Sequence, residues 1–435
     1  MAARRAAPSM PPLPWLLFAL GVSCAAAVAV SLWPPQRPGV LALAVWPVGW
    51  LVGELPLHAI VLWTGAGAAL AVGGGVEAWP GWVGAGALAL ALLGLRHHLA
   101  LAAGTTPAVE QGLVEALGRD YHDRIEPEVR AAYDPTTSWR ALATILPVRP
   151  REVTRVRDLE YARVDGRPLH LDLFRRDDLA AAGGRPVFVY VHGGGWVIGN
   201  KRQQGRLTVH ELAAAGWLCV SIDYRLSPRA TFPDHLIDVK RALAWVRAHI
   251  ADHGGDPRFV VIGGGSAGAH LAALAALTAN DPAYQPGFAD ADTAVAGCVA
   301  YYGVYDFVDD DRHFRHRAFH DLLLARIVMK APVARAREAY AQASPVARVT
   351  ATAPPFLLFH GDRDSLAPVT AARAFAARLR AAGVACAYVE LPGAQHAFEL
   401  FPSLRSVAVV HGTHRFCQAI WCAWRARTGT PADLA

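Results

Sequence analysis

The sequence predicts an α/β protein, a mostly parallel sheet of about eight strands with helices on both faces, preceded by a helical transmembrane region. Three observations carry that reading. The apolar excess lies before residue 104, short β-rich runs alternate with longer helical ones from Leu159 onward, and four of the strand candidates end in turns rich in glycine, acid or histidine. Open α/β sheets bind their ligands at such strand ends. At 435 residues the chain exceeds the usual single-domain size, so a second region beside one large core is expected.

The membrane region comes first. Leu13 to Trp33 carries no charge and is long enough to cross about 30 Å of hydrocarbon. Arg4 and Arg5 precede it and favour a cytoplasmic N-terminus. A cleaved signal peptide is the rival reading, but its apolar run would normally be shorter, and it would leave the later spans unexplained. Those are Val40 to Gly53, Leu55 to Val76 and Trp82 to Ala103, broken by Glu54, Pro56, Glu77 and Pro80. The first is short for a full crossing, so three and four spans both fit. An odd number exports the domain after the spans and an even number keeps it inside; Arg37 and Arg96 leave the choice open. The expectation is an integral membrane protein whose main domain lies on an undetermined side.

The net charge of +6 comes from arginines scattered among helices and linkers without an aromatic-interleaved basic patch, which argues against nucleic acid and for solvated faces and anionic lipid headgroups. Of the six cysteines, Cys24 lies in a span, Cys219, Cys298 and Cys386 in strand-like runs, and Cys417 and Cys422 in a helix-like tail. They read as small buried hydrophobes, with no disulfide framework or metal spacing.

Pro107 to Pro147 is charged and helix-compatible, and Arg149 to Arg157 is basic and punctuated by proline. The strand candidates are Leu159 to Val164, Leu169 to Phe174, Val187 to Val191, Leu218 to Tyr224, Phe259 to Ile262, Ala296 to Tyr301, Phe356 to Phe359 and Ala385 to Leu391. Helices are expected at Arg202 to Ala215, Leu236 to Ile250, Ala267 to Thr278, Val369 to Ala382 and Ser403 to Arg427. Two initial strands with no helix between them predict an antiparallel start, and the later alternation predicts parallel pairing.

The strand ends hold the chemistry. After Val191 comes His192-Gly193-Gly194-Gly195-Trp196, whose glycines leave backbone N–H groups free to point at a developing oxyanion. Trp196 reads as pocket wall or core. After Ile262, the stretch VIGGGSAGAH reads two ways: Gly263, Gly265 and Gly268 spell a dinucleotide fingerprint, while Gly264, Ser266 and Gly268 spell G-x-S-x-G, a serine on a sharp strand-to-helix turn. The fingerprint should open its domain and be followed by an acid at the end of the next strand, yet several strands precede it here, and Asp290 and Asp292 come before the next strand. After Phe359 comes His360-Gly361-Asp362-Arg363-Asp364; an acid there can orient a histidine, Asp364 being the choice and Asp362 the competitor. After Leu391 comes PGAQHAF with His396, completing the chain order Ser, Asp, His that accompanies G-x-S-x-G.

With HGGGW, Tyr224-Arg225-Leu226-Ser227-Pro228, Phe232-Pro233, Asp238 and the serine elbow in place, the chain resembles the hormone-sensitive-lipase-like carboxylesterases of the α/β-hydrolase fold. GGGSAGAHLAALAALTANDP, YYGVYDF, HGDRDSLAPV and ELPGAQHAFELF, together with the apolar spans, are similar to membrane-anchored esterases of actinobacterial type. The resemblance implies Ser266 as nucleophile, His396 as general base and acid, Asp364 as its orienting partner, and the amides of Gly194, Gly195 and Ala267 as oxyanion hole. It implies no cofactor and no metal. One departure is Gly265, where many relatives carry an aspartate.

The expected organisation is a membrane anchor at 1–103, a connector or small lid at 104–157 and a hydrolase domain at 158–428, acting on apolar or lipid-like esters. The sequence leaves oligomeric state open. Acyl transfer, amide hydrolysis and a catalytically silent membrane-bound binding module are the alternatives. Asp309 to Asp311 with His313, His316 and His320 suggest a metal site by proximity, but interleaved arginines fit a solvated insertion better, and Phe307 to Gln342 together with the connector are candidates for shaping the acyl pocket.

Overall fold

The computed structural model describes residues 12–35, 39–127, 142–178, 184–314 and 320–429. It opens with apolar helices α1 (Pro12–Leu32), α2 (Gly39–Glu54), α3 (Pro56–Leu70, widening into a π-turn over Ala71–Gly75) and α4 (Trp79–Ala103). Prolines in the first turns of α3 and α4 start both helices where a missing N–H costs nothing. Among the described residues three helices are long and apolar enough to cross a membrane: α1, α3 with its π-turn, and α4 with its continuation. α2 has only 16 residues, about 24 Å, and falls short. α1 packs on α4 through glycines; a Cβ on Gly21 would stand 1.9 Å from Gly84 O, so only bare backbone permits the approach.

α4 passes through Gly104, which keeps helical dihedrals (φ −67°, ψ −12°), into α5 (Thr105–Leu117). The two make an almost unbroken rod of 39 residues. α5 buries Val109 and Leu113, and Gly112 sits directly on Val389.

The sheet has strands β1 (Val153–Val164), β2 (Arg167–Arg176), β3 (Arg185–Val191), β4 (Leu218–Ile222), β5 (Gly255–Gly265), β6 (Gly297–Tyr301), β7 (Phe356–Gly361) and β8 (Cys386–Leu391), in the order β1-β2-β4-β3-β5-β6-β7-β8. β1 and β2 pair antiparallel, as do β2 and β4; the rest is parallel. All eight expected strands and the antiparallel start are present. Helices α6 (Arg206–Ala214), α7 (Asp234–His249), α8 (Ala267–Leu277), α9 (Val369–Ala381) and α10 (Leu404–Thr428) cover both faces. The strands alternate accordingly. Val187, Val189 and Val191 of β3 join the core under α7 and α8, while Phe188 and Tyr190 join the one under α5, α6 and α10.

Several boundaries differ from the sequence expectation, and two of the differences have a clear physical cause. β1 starts at Val153 rather than Leu159, because Arg155, a charged residue that disguises a strand, pairs with Asp172 of β2, whose Oδ1 also accepts from the Asp158 backbone N–H. α6 starts at Arg206 rather than Arg202, because Lys201 is pulled out of helical geometry to bind Asp223, and Gly205 turns the chain at φ 69°.

Candidate active site

β5 ends at Gly265, α8 begins at Ala267, and Ser266 makes the turn between them at φ 55°, ψ −119°. Such a conformation costs a residue with a Cβ on the order of 1–3 kcal/mol. It is held by the Ser266 N–H donating to Tyr301 O at 2.9 Å. The flanking glycines are steric necessities, since a Cβ on Gly264 or Gly268 would stand 2.5 or 2.0 Å from Val191 O.

The loops after β7 and β8 meet this serine. His396 Nε2 lies 2.8 Å from Ser266 Oγ, and its Nδ1 lies 2.7 Å from Asp364 Oδ2. Asp364 is buried, and its Oδ1 accepts from the N–H groups of Leu366 and Ala367 at 2.8 Å each. A carboxylate only accepts, so Nδ1 carries the imidazole proton and Nε2 offers its lone pair to the hydroxyl. Burial pushes the Asp364 pKa up, but the charge and hydrogen bond of His396, with His360 and the Ala367 amide, hold it below the usual carboxylate value. Asp362 is placed differently: it accepts from the Gly393 N–H at 2.7 Å, and burial raises its pKa.

The glycine run after β3 lies beside the elbow. A Cβ on Gly193 would come within 3.1 Å of Ser266 Cβ. The Gly193 N–H is taken by Gln204 Oε1 at 2.7 Å, whereas among the described residues no hydrogen bond takes up the amides of Gly194, Gly195 or Ala267. Three uncommitted N–H groups thus flank a hydroxyl, an imidazole and a carboxylate in series.

The family model described as BD-FAE matches residues 171–379. Over 92% of its length the chain is 41% identical to 92% of a probable carboxylic ester hydrolase, LipM, of Mycobacterium tuberculosis. The chain belongs to the hormone-sensitive-lipase-like carboxylesterases of the α/β-hydrolase fold. A second relative, esterase LipQ of the same organism, is 43% identical over 71% of this chain and 73% of its own. The solved butyrate-bound structure of esterase 2 from Thermogutta terrifontis superposes with a TM-score of 0.51 at 26% identity, covering 64% of this chain and 96% of that one. The protein is therefore a carboxylic-ester hydrolase, and the dinucleotide reading of its glycines falls away.

In this esterase Trp196 is core rather than pocket wall. It is 1% exposed, its Nε1 donates to His270 Nδ1 at 3.3 Å, and its ring meets Phe307 edge-on. His270 Nε2–H in turn donates to Ala343 O at 2.7 Å, and burial lowers the His270 pKa to about 3, so this imidazole stays neutral.

Glu399 is a feature that sequence reasoning missed. It is buried three residues beyond His396, with Tyr190 Oη donating to Oε1 at 3.3 Å and Tyr302 Oη donating to Oε2. The Tyr302 ring rests on the His396 ring, centroids 4.5 Å apart. This cluster also accounts for Gly265: a Cβ there would stand 2.7 Å from Tyr302 Oη, so the space an aspartate would use is filled. The only sequence signal was an acid in an otherwise apolar HAFELF run.

Among its described residues, the acidic and histidine-rich insertion brings no metal ligands together. His320 is buried with Nε2 donating to Phe307 O at 2.6 Å, and His313 lies 3.8 Å from Asp311 at the surface. His316 is outside the described residues. Among the described residues no three His, Cys, Asp or Glu side chains converge.

Proposed function

We propose that this esterase cleaves apolar or lipid-like esters through Ser266, His396 and Asp364, with the amides of Gly194, Gly195 and Ala267 as oxyanion hole. The observation that carries the proposal is the hydrogen-bonded series from Ser266 Oγ through His396 to Asp364. His396 takes the serine proton as Oγ attacks the carbonyl carbon, the amides stabilise the oxyanion, and the alcohol leaves with the proton returned by His396. Water, deprotonated by the same imidazole, then attacks the acyl-enzyme and releases the acid. Each oxyanion donor contributes about 3 kcal/mol to the barrier reduction.

Residues 1–103 would anchor the enzyme in the membrane, 104–157 would connect and 158–428 would carry catalysis. The apolar anchor supports esters that partition into lipid, because it holds the enzyme where they concentrate. The test is labelling of membranes with a fluorescent fluorophosphonate. Wild type is expected to label and folded Ser266→Ala is not; an ester-length series should then favour longer acyl chains. Labelling that survives in Ser266→Ala would remove Ser266 as nucleophile.

A further inference from the structure

The helical region has two distinguishable ends. At one, α1 and α4 begin together: Trp15 packs edge-on against Trp79 at 5.6 Å, and the end of α3 closes on the same place, with Gly73 beside Leu13. Toward the other end α1 finishes alongside α4, with Val28 filling the notch at Gly94, and α4 continues beyond it to Ala103. This second end meets the loops of the candidate active site. The backbone O of Leu32, last residue of α1, accepts from Arg363, the neighbour of Asp364. Leu101 near the end of α4 packs under Gly393 on the loop carrying His396.

The second half of α2, from Trp46 to Glu54, packs at that second end. Ser31 Oγ at the close of α1 donates to Gly49 O at 2.7 Å, fixing α2 against it. Trp46 stacks on Trp50, Trp50 lies against Phe401 at 4.7 Å, and Trp50 Nε1 donates to Ala397 O, next to His396, at 2.9 Å. Its last residue, Glu54, forms a fully buried ion pair with Arg405, supported by Ser403 Oγ at 3.1 Å. A helix that commits its charged end to Arg405 and its tryptophans to the His396 loop is not a lipid-facing crossing.

The spans fit a bilayer in length as well. Trp15 on α1 and Trp33 just past its end, both exposed, are separated by about 27 Å at 1.5 Å per residue, close to the thickness of the hydrocarbon layer, and tryptophans favour its two surfaces. The apolar residues Val61, Leu62, Leu90 and Leu93 lie exposed between.

We propose that the chain crosses the membrane three times, through α1, α3 and α4, and that α2 is a surface wedge positioning the His396 loop. The carboxyl end of the sheet then rests on the leaflet opposite the N-terminus, where a lipid ester meets Ser266 at the membrane surface. This rests on the reading of residues 1–103 as a membrane anchor. With Arg4 and Arg5 holding the N-terminus in the cytoplasm, the catalytic unit faces outward.

The test uses the full chain in cell membranes. All six native cysteines are buried, so Ala3→Cys and Arg157→Cys can be read singly against a low background with a membrane-impermeant maleimide. Arg157→Cys is expected to label in intact cells and Ala3→Cys only after permeabilisation. Labelling of both from one side, or of Ala3→Cys from outside, overturns the topology. Release of the wild type by alkaline carbonate would instead overturn the anchor reading beneath it. Trp50→Phe keeps an aromatic side chain, smaller than the indole, and removes the N–H donated to Ala397. It should lower kcat on a short soluble ester about tenfold with KM and membrane insertion unchanged, the equivalent of one hydrogen bond. An unchanged kcat overturns the wedge.

Discussion

Replacing Asp364 by asparagine isolates the part of the site on which everything else depends. Asp364 Oδ1 accepts two backbone N–H groups, from Leu366 and Ala367, while Oδ2 faces His396 Nδ1. An asparagine has one acceptor oxygen, and two fixed amide donors compel it to occupy the Oδ1 position. Its NH2 group is thereby forced toward His396. A donor there demands that Nδ1 accept, so the ring proton moves to Nε2 and points at Ser266 Oγ, where it cannot take the hydroxyl proton. The geometry is kept and the base is lost. A wrong tautomer of this kind costs about 10³–10⁴ in kcat, roughly 4–5.5 kcal/mol of barrier. The assay is kcat on a short chromogenic ester, with the rate of fluorophosphonate labelling as a substrate-independent check. Asp362→Asn, whose side chain accepts only from Gly393, is the control and should lose less than tenfold. Retention of a tenth of wild-type kcat in Asp364→Asn, or an equal loss in Asp362→Asn, would refute the assignment.

Three further outcomes are expected. Burial lowers the pKa of His210 and His235 to about 4 and of His270 and His414 to about 3, against an unfolded value of 6.5. Their stability contribution is present above pH 6.5 and is lost as pH falls, by about 2 kcal/mol each between pH 6.5 and 5, so melting in detergent should drop steeply there; a flat profile would exclude it. Glu399→Gln leaves one phenol without its acceptor and loosens Tyr302 against His396, lowering kcat about tenfold. Tyr302→Phe should cost the same and the double variant no more, additivity in the kinetic cycle being the contrary result. Gln204→Ala releases the Gly193 N–H and frees the glycine run, which should slow acylation about fivefold, read by the fluorophosphonate labelling rate.

Much of the catalytic unit was legible because sequence and site obey one rule. Strands buried on both faces read as Val187 to Val191 and Phe356 to Phe359, and the candidate residues Gly194, Ser266, Asp364 and His396, which follow such strands, are brought together in the structure. The hidden features depended on partners distant in sequence. Val153 to Asp158 reads as a linker because of its charges, of which Arg155 finds its partner only when Asp172 of β2 comes beside it. Glu399 and Gln204 are ordinary polar residues until Tyr190, Tyr302 and Gly193 come beside them. The apolar residues of α2 gave the same signal as a short membrane span, and only its contacts with Ala397 and Arg405 separate the two.

The rod formed by α4 and α5 has a mechanical meaning. Its 39 residues, with the single turn residue Gly104 between α4 and α5, correspond to about 58 Å of helix, from the distal tryptophan pair to β8. A flexible tether would let the enzyme roam and tilt above a surface. On the proposed three-span anchoring, a mast seated in the core would fix both the height and the bearing of Ser266, and the depth at which a substrate carries its carbonyl would become a selection criterion separate from the shape of any pocket.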